Sequence, residues 1–194
     1  MLTAKEYQDI IKPHLSEKRF IHSIEVSKMA KKLAKIYGVD SQKAEIAGIL
    51  HDITKDTSKD EQLKLMDEFG IILNDVEKIT PNLWHQISGA AYCEKVLGIK
   101  DSDIICSVRW HTSGKKDMTL FEKIIFVADG ISADRDYKGV DKIRILARKN
   151  LDKALIECLS FTISGLAQAN KAIISDTFDA YNDAILNDMK GKTV

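Results

Sequence analysis

Ala44-Glu45-Ile46-Ala47-Gly48-Ile49-Leu50-His51-Asp52 reads as the end of a buried helix that closes on a histidine and an aspartate. Ala44, Ala47 and Gly48 share a helical face with His51. Side chains that small let a second helix come close. A carboxylate such as Asp52, near a helix C-terminus, meets the unfavourable end of the helix dipole, and a bound cation removes that objection.

Helix punctuation continues on both sides, and strand alternation is almost absent. Thr3 caps a short first helix ending near Pro13-His14. Ser16 opens a longer one that Gly38 closes, and Asp40 or Ser41 caps the helix reaching His51-Asp52. Ser58-x-x-Glu61 is a capping box for a helix ending near Gly70. Thr80-Pro81 supplies an N-cap and a first-turn proline for the helix of His85, which stops at Gly98. Asp101 caps the helix of Arg109-Trp110-His111, and Thr119-x-x-Glu122 boxes the helix that holds Asp129. Arg135 to Gly139 reads as loop, Asp141 to Met189 as helix with one break near Asn150, and Lys190 to Val194 as a frayed end. The fold expected is all-α. It is a single domain over 1–194, with a helical core at about 16–135 and a C-terminal helical region at about 141–189 packed on it.

Composition agrees. Of 194 residues, 44% are hydrophobic but only 7% aromatic, so the core is mostly aliphatic. Twenty-nine basic residues face 29 acidic ones, which gives no global field toward nucleic acid or anionic membrane. The three cysteines, Cys93, Cys106 and Cys158, are far apart and read as reduced, packed thiols. The opening residues lack a signal-peptide apolar region, and no apolar run reaches the ~20 residues of a spanning helix. The expectation is a cytoplasmic protein without nucleic-acid or membrane partners.

Four of the five histidines form an ordered set with two aspartates: His22, His51-Asp52, His85, His111 and Asp129. His22 shares a face with Val26, Met29, Leu33 and Ile36. His85 lies with Ser88, Gly89 and Tyr92, His111 follows Ile104 and Val108, and Asp129 ends an apolar run. A single histidine on an apolar face is more often a core histidine than a ligand. A buried unpaired carboxylate, however, wants a cation or several donors. Six such exceptions on inward faces are more economically one metal centre.

These residues resemble the HD-domain metal-dependent phosphohydrolases through His22, His51-Asp52 and Asp129, and their dinuclear branch through His85 and His111. More closely, the chain resembles the YqeK family, similar to bacterial symmetrical diadenosine tetraphosphate hydrolases. The segments that carry this are Glu17 to His22, His51 to Asp56, Leu83 to Ala90, Arg109 to Gly114, Ala128 to Ile131 and Arg135 to Asp141. Ser132-Ala133 stands where that family often has a glutamate and proline, and Lys138 where a proline is usual. Trp84 and Gln86 flank His85 in place of smaller or apolar residues.

The resemblance implies that Asp52 bridges two metals. His22, His51 and Asp129 then complete one site, and His85 and His111 the other. Mixed imidazole and carboxylate ligation suits iron, manganese, cobalt or zinc, and the resemblance points to iron. It implies attack of a metal-bound hydroxide on an inner phosphorus of diadenosine tetraphosphate, giving two ADP. Asp52 and Lys55 are the catalytic candidates. Arg19, Lys55, Thr112 and Arg135 are the candidate substrate contacts. Lys55 and Arg19 are otherwise solvated side chains, Arg135 a surface ion pair with Asp134 or Asp136, and Thr112 a helix cap beside Gly114. Trp84, Trp110 and Tyr92 read as packing. Three readings compete with this one: another nucleotide phosphohydrolase on the same centre, a non-catalytic nucleotide-binding adaptor, and a helical scaffold without metal. The sequence leaves open whether the C-terminal helices close over the site, support it or form a homodimer interface.

Overall fold

The computed structural model describes residues 2–190, and among them there are helices and turns but no strand. Helix α1 (Ala4–Ile11) starts at a Thr3–Glu6 capping box and runs into a 3-10 turn over Lys12–His14. Helix α2 (Glu17–Tyr37) starts at Ser16 and ends on left-handed Gly38. Helix α3 (Ser41–Leu50) is capped by the Asp40 carboxylate, which accepts from the Gln42 and Lys43 amides. Helix α4 (Lys59–Glu68) begins at the Ser58–Glu61 box. Helices α7 (Ser102–Trp110) and α8 (Leu120–Ile131) begin at Asp101 and Thr119 as expected.

Four expectations need correction. A short helix, α5 (Asp75–Lys78), was not anticipated; the Asn74–Glu77 capping box makes it. Thr80 does not cap the helix of His85. Its hydroxyl donates to Val76 O at 2.6 Å, Pro81 opens a 3-10 turn, and α6 (Trp84–Ala91) follows without a side-chain cap. Beyond Ala91 the chain widens into a π-helical turn, Tyr92–Val96, before Gly98. The C-terminal region breaks twice, giving α9 (Val140–Ala147), α10 (Leu151–Gln168) and α11 (Ser175–Lys190). Asn150 caps α10, and Asn170 makes the second break by taking a left-handed backbone, φ 52°. Residues 191–194, where fraying was expected, lie outside the described residues.

The buried face of α2 is also rotated from the expected one. Its buried positions are His22, Ser23, Val26, Ser27, Ala30, Leu33 and Ala34, whereas Ile36 is 45% exposed and Met29 only half-buried. Spacings of four and three average 3.5 residues, and a straight helix drifts ~20° per heptad from that repeat. Two heptads past His22, Ile36 has left the core.

One aliphatic cluster joins the long helices, from Tyr7 in α1 through Ile49 and Leu50, Ile124 and Ile125, to Leu155, Leu159 and Ala184. Helices α2 and α3 approach so closely that a Cβ on Gly48 would lie 2.7 Å from Ser27 Cα. That approach sets His22 beside His51, ring centroids 5.3 Å apart. A second small cluster, Met66, Leu73, Trp84 and Ile87, seats α4 against α6.

Candidate metal centre

His51 is the residue just past α3, and His111 the residue just past α7. Each turns its Nδ1 back onto its own helix, at 2.8 Å from Gly48 O and 2.8 Å from Val108 O. A carbonyl only accepts, so both Nδ1 atoms donate, and both Nε2 atoms turn toward the cluster. His22, on the second turn of α2, has Nδ1 at 2.8 Å from Asp134 Oδ2 and Nε2 at 3.0 Å from Asp129 Oδ1. His85, on α6, has Nε2 at 3.1 Å from His111 Nε2 and 3.3 Å from Asp52 Oδ1. The rings form a chain, His22–His51–His111–His85, with centroid separations of 5.3, 4.9 and 5.0 Å.

Asp52, 2% exposed, lies in the middle. Its Oδ2 is 3.5 Å from His51 Nε2, and its Oδ1 is 3.5 Å from His111 Nε2. His22, His51 and Asp129 hold donor atoms within 4.8 Å of one another, and so do His51, Asp52 and His111. His51 Nε2 and Asp52 Oδ1 are buried with no hydrogen-bond partner. Two orphaned acceptors among imidazole lone pairs and carboxylates fit a transition-metal cation, which satisfies them together.

The protonation states agree with ligation. Burial pushes His51 down to about 4 and His85 well below its ordinary value, so both rings are neutral. Burial also raises the Asp52 carboxyl, but His51, His111, His85 and Lys55 hold it well below the usual carboxylate range. Asp129 is likewise raised by burial and held well below by His22 and Arg135. For His22, burial lowers the pKa, but Asp129 and Asp134 outweigh it and leave it raised.

All four polar candidates for substrate contact reach this cluster. Arg19 Nη1 donates to Asp52 Oδ2 at 3.0 Å. Lys55 Nζ lies 3.1 Å from His85 Nε2, and burial lowers its pKa. Thr112 Oγ1 lies 3.2 Å from the same nitrogen. Arg135 folds back rather than pairing outward. Its Nε donates to Asp129 O at 2.9 Å, and its Nη2 donates to Asp129 Oδ1 and lies 3.4 Å from His22 Nε2. Trp84 and Trp110 pack instead: the Trp84 indole donates to Glu77 O, and Arg109 stacks on Trp110 at 4.0 Å.

Four supporting residues escaped the sequence reading. Asp134 holds His22 Nδ1 and accepts from Ser132 Oγ at 2.6 Å. Gln86, fully buried, accepts from the Thr112 and Ser113 amides and donates to Ser113 Oγ, which fixes the turn after His111. Thr54 Oγ1 donates to His85 O at 2.9 Å. Arg144 donates to the carbonyls of Ile131, Ser132 and Arg135, which pins the loop carrying Asp134 and Arg135. Of these, Gln86 left a trace beforehand as a departure from a family pattern, and Asp134 only as a surface ion-pair partner for Arg135.

Two cavities flank the cluster. One of 220 Å³ includes Asp129 and Arg135 in its lining; another of 680 Å³ includes Lys55. Thr112 and Thr162 line both.

The HD domain family matches residues 19–134, more than half of the chain and the whole span of the cluster. The fold and the site thus define an HD-domain protein. A bacterial homologue from Halalkalibacterium halodurans, named as a symmetrical bis(5'-nucleosyl)-tetraphosphatase, is 41% identical over 91% of this chain and 94% of its own length. Its Bacillus subtilis namesake is 40% identical over 89% and 92%. A crystal structure from Clostridium acetobutylicum, described as a predicted HD superfamily hydrolase involved in NAD metabolism, superposes with a TM-score of 0.92 at 34% identity. It covers 96% of this chain and 99% of that one. The chain belongs to the YqeK family of HD-domain proteins, the family of these symmetrical tetraphosphatases.

Proposed function

We infer that this protein hydrolyses diadenosine tetraphosphate symmetrically to two ADP at a dinuclear metal centre. The observation that carries the reading is the division of Asp52. Its Oδ2 faces His51, which itself groups with His22 and Asp129, and its Oδ1 faces His85 and His111. One carboxylate therefore serves two donor groups, as a bridging ligand does. His22, His51, Asp52 and Asp129 would hold one ion, and Asp52, His85 and His111 the other, with iron the metal favoured. Two such ions, when bound, supply Lewis-acid activation of water and neutralise phosphoryl charge.

The chain's own residues supply positioning, which is most of what phosphoryl transfer asks of a protein. Lys55, Arg19 and Arg135 bring three cations to the edge of the cluster, where a tetraphosphate brings its negative charge. Thr112 offers a hydroxyl beside His85 to a phosphoryl oxygen. Attack of water on an inner phosphorus forms one P–O bond as the central P–O–P bond breaks in line. The bridging oxygen leaves with one ADP, the water oxygen stays on the other, and protons pass to solvent. We read the chain as one domain, with the C-terminal helices walling the substrate cleft, acting in the cytoplasm. Among the described residues no helix is long and apolar enough to cross a membrane.

Chromatography of the products tests this. Two ADP from diadenosine tetraphosphate supports it. ATP plus AMP, or no turnover with iron or manganese supplied under reducing conditions, overturns it. The Clostridium acetobutylicum relative is tied by its description to NAD metabolism, so NAD is the second compound to run beside it.

A further inference from the structure

Helix α6 is buried all the way round: every residue from Trp84 to Ala91 lies in the interior. A polar side chain in such a helix needs partners. Gln86, 0% exposed, directs both ends of its amide to the turn that follows His111. The polarity of that amide is fixed by what it meets. The Thr112 and Ser113 backbone N–H groups can only donate, at 3.1 and 3.2 Å, so the end facing them is the carbonyl oxygen. The other end donates to Ser113 Oγ at 3.0 Å, and that hydroxyl donates in turn to Gly114 O at 2.9 Å.

Two contacts therefore run side by side. In one, His85 meets His111, Nε2 to Nε2 at 3.1 Å. In the other, the next residue of each segment takes part, Gln86 accepting from the Thr112 amide. Thr112 Oγ1 crosses between the two contacts and lies 3.2 Å from His85 Nε2. A threonine hydroxyl has few rotamers, so its position follows its backbone. Gln86 holds that backbone. Helix α6 is itself anchored, since Thr54 Oγ1 donates to His85 O at 2.9 Å.

We propose that Gln86 is a positioning residue: through the Thr112 and Ser113 amides it sets where the Thr112 hydroxyl stands beside His85, and so how that hydroxyl meets a phosphoryl oxygen. This rests on the phosphohydrolase reading above, in which Thr112 touches the substrate. A misplacement of about 1 Å near the reacting atoms costs on the order of a hundredfold in rate, so a small slip of this turn is felt.

Three variants test it. Gln86→Met keeps the length and removes the carbonyl, Gln86→Glu keeps an acceptor for both amides, and Ser113→Ala removes one bond that holds the glutamine amide. Each is made in the wild type and in Thr112→Val, which loses the hydroxyl but keeps the backbone amide. On diadenosine tetraphosphate, kcat/KM should fall at least about tenfold in Gln86→Met and about threefold in Ser113→Ala, with Gln86→Glu recovering most of the loss. In the Thr112→Val background the same changes should cost less than about twofold. A glutamine that only stabilises the fold lowers the thermal midpoint and costs the same factor in both backgrounds. Equal factors, or no loss in Gln86→Met, overturn the proposal. Ser113→Ala carries the comparison alone if the Gln86 variants do not fold. If wild-type protein makes no ADP from diadenosine tetraphosphate, the comparison is read on equilibrium binding of ADP. Unequal factors there sink the reaction and leave Gln86 its role, whereas equal factors, or no ADP binding, overturn both.

Discussion

Asp134 Oδ2 stands 2.8 Å from His22 Nδ1, on the far edge of the ring from Asp129 Oδ1 at 3.0 Å. The imidazole is thus clamped between two carboxylates, one facing the centre and one behind it. Ser132 Oγ and the Arg144 guanidinium hold the loop that carries the rear carboxylate. A carboxylate behind a ligating histidine fixes its tautomer and raises its basicity.

Asp134→Ala is therefore expected to weaken metal binding by about 10–100-fold. Metal retained after dialysis against a graded chelator measures it. Retention equal to wild type would show that Asp134 only pairs with His22 and does not support ligation.

Asp52→Asn keeps the size of the side chain and removes the charge shared by the two donor groups. Turnover of diadenosine tetraphosphate should fall by at least about a hundredfold, since loss of a bridging carboxylate removes several kcal/mol of charge stabilisation. Helical circular dichroism should stay at the wild-type level. Persistent turnover would remove Asp52 from the bridging role.

Gly48→Ala tests the helix approach that builds half of the centre. The new Cβ would lie 2.7 Å from Ser27 Cα and 2.9 Å from Ser27 N, which are backbone atoms that cannot rotate away. Overpacking of this kind costs about 1–3 kcal/mol. The midpoint of urea denaturation should drop accordingly, and metal content should drop with it, because α2 carries His22 and α3 leads into His51. An unchanged midpoint would mean that the two helices slide apart freely.

Acid should destabilise the fold between about pH 6.5 and 4. In that window His51 and His85 stay neutral when folded and take up protons when unfolded, so the unfolded chain binds more protons. Stability is fully present above the ordinary histidine value and is lost as pH falls toward about 4. His22, raised when folded, acts in the opposite sense, but it is one group against two. Bound metal needs neutral imidazole and pulls in the same direction as the pair. Thermal midpoints taken across this range should decline; a flat profile contradicts the assigned burial effects.

Helix boundaries set by side-chain caps were legible in the sequence, because Ser16, Asp40, Ser58, Asp101 and Thr119 act on amides two or three residues away. Features that depend on distant packing were not. Thr80 looked like a cap, yet a carbonyl on α5 takes its hydroxyl. Ile36 looked buried, yet the twist of α2 carries it to solvent. The convergence of the six His and Asp residues followed from their faces and from family resemblance. Their supports did not, since Gln86 reaches 26 residues forward to Thr112, and Asp134 reaches back 112 to His22. Such reach leaves no local periodic signal.

The same long reach makes the centre a check on chain completion. A nascent chain exposed as far as His111 already carries the cluster's four histidines and Asp52, but the group of His22, His51 and Asp129 closes only when α8 packs, with Asp129 107 residues after His22. Until then no cation finds that full set. A metal bound at that group would therefore report that synthesis has passed residue 129 and that α2, α3 and α8 have docked.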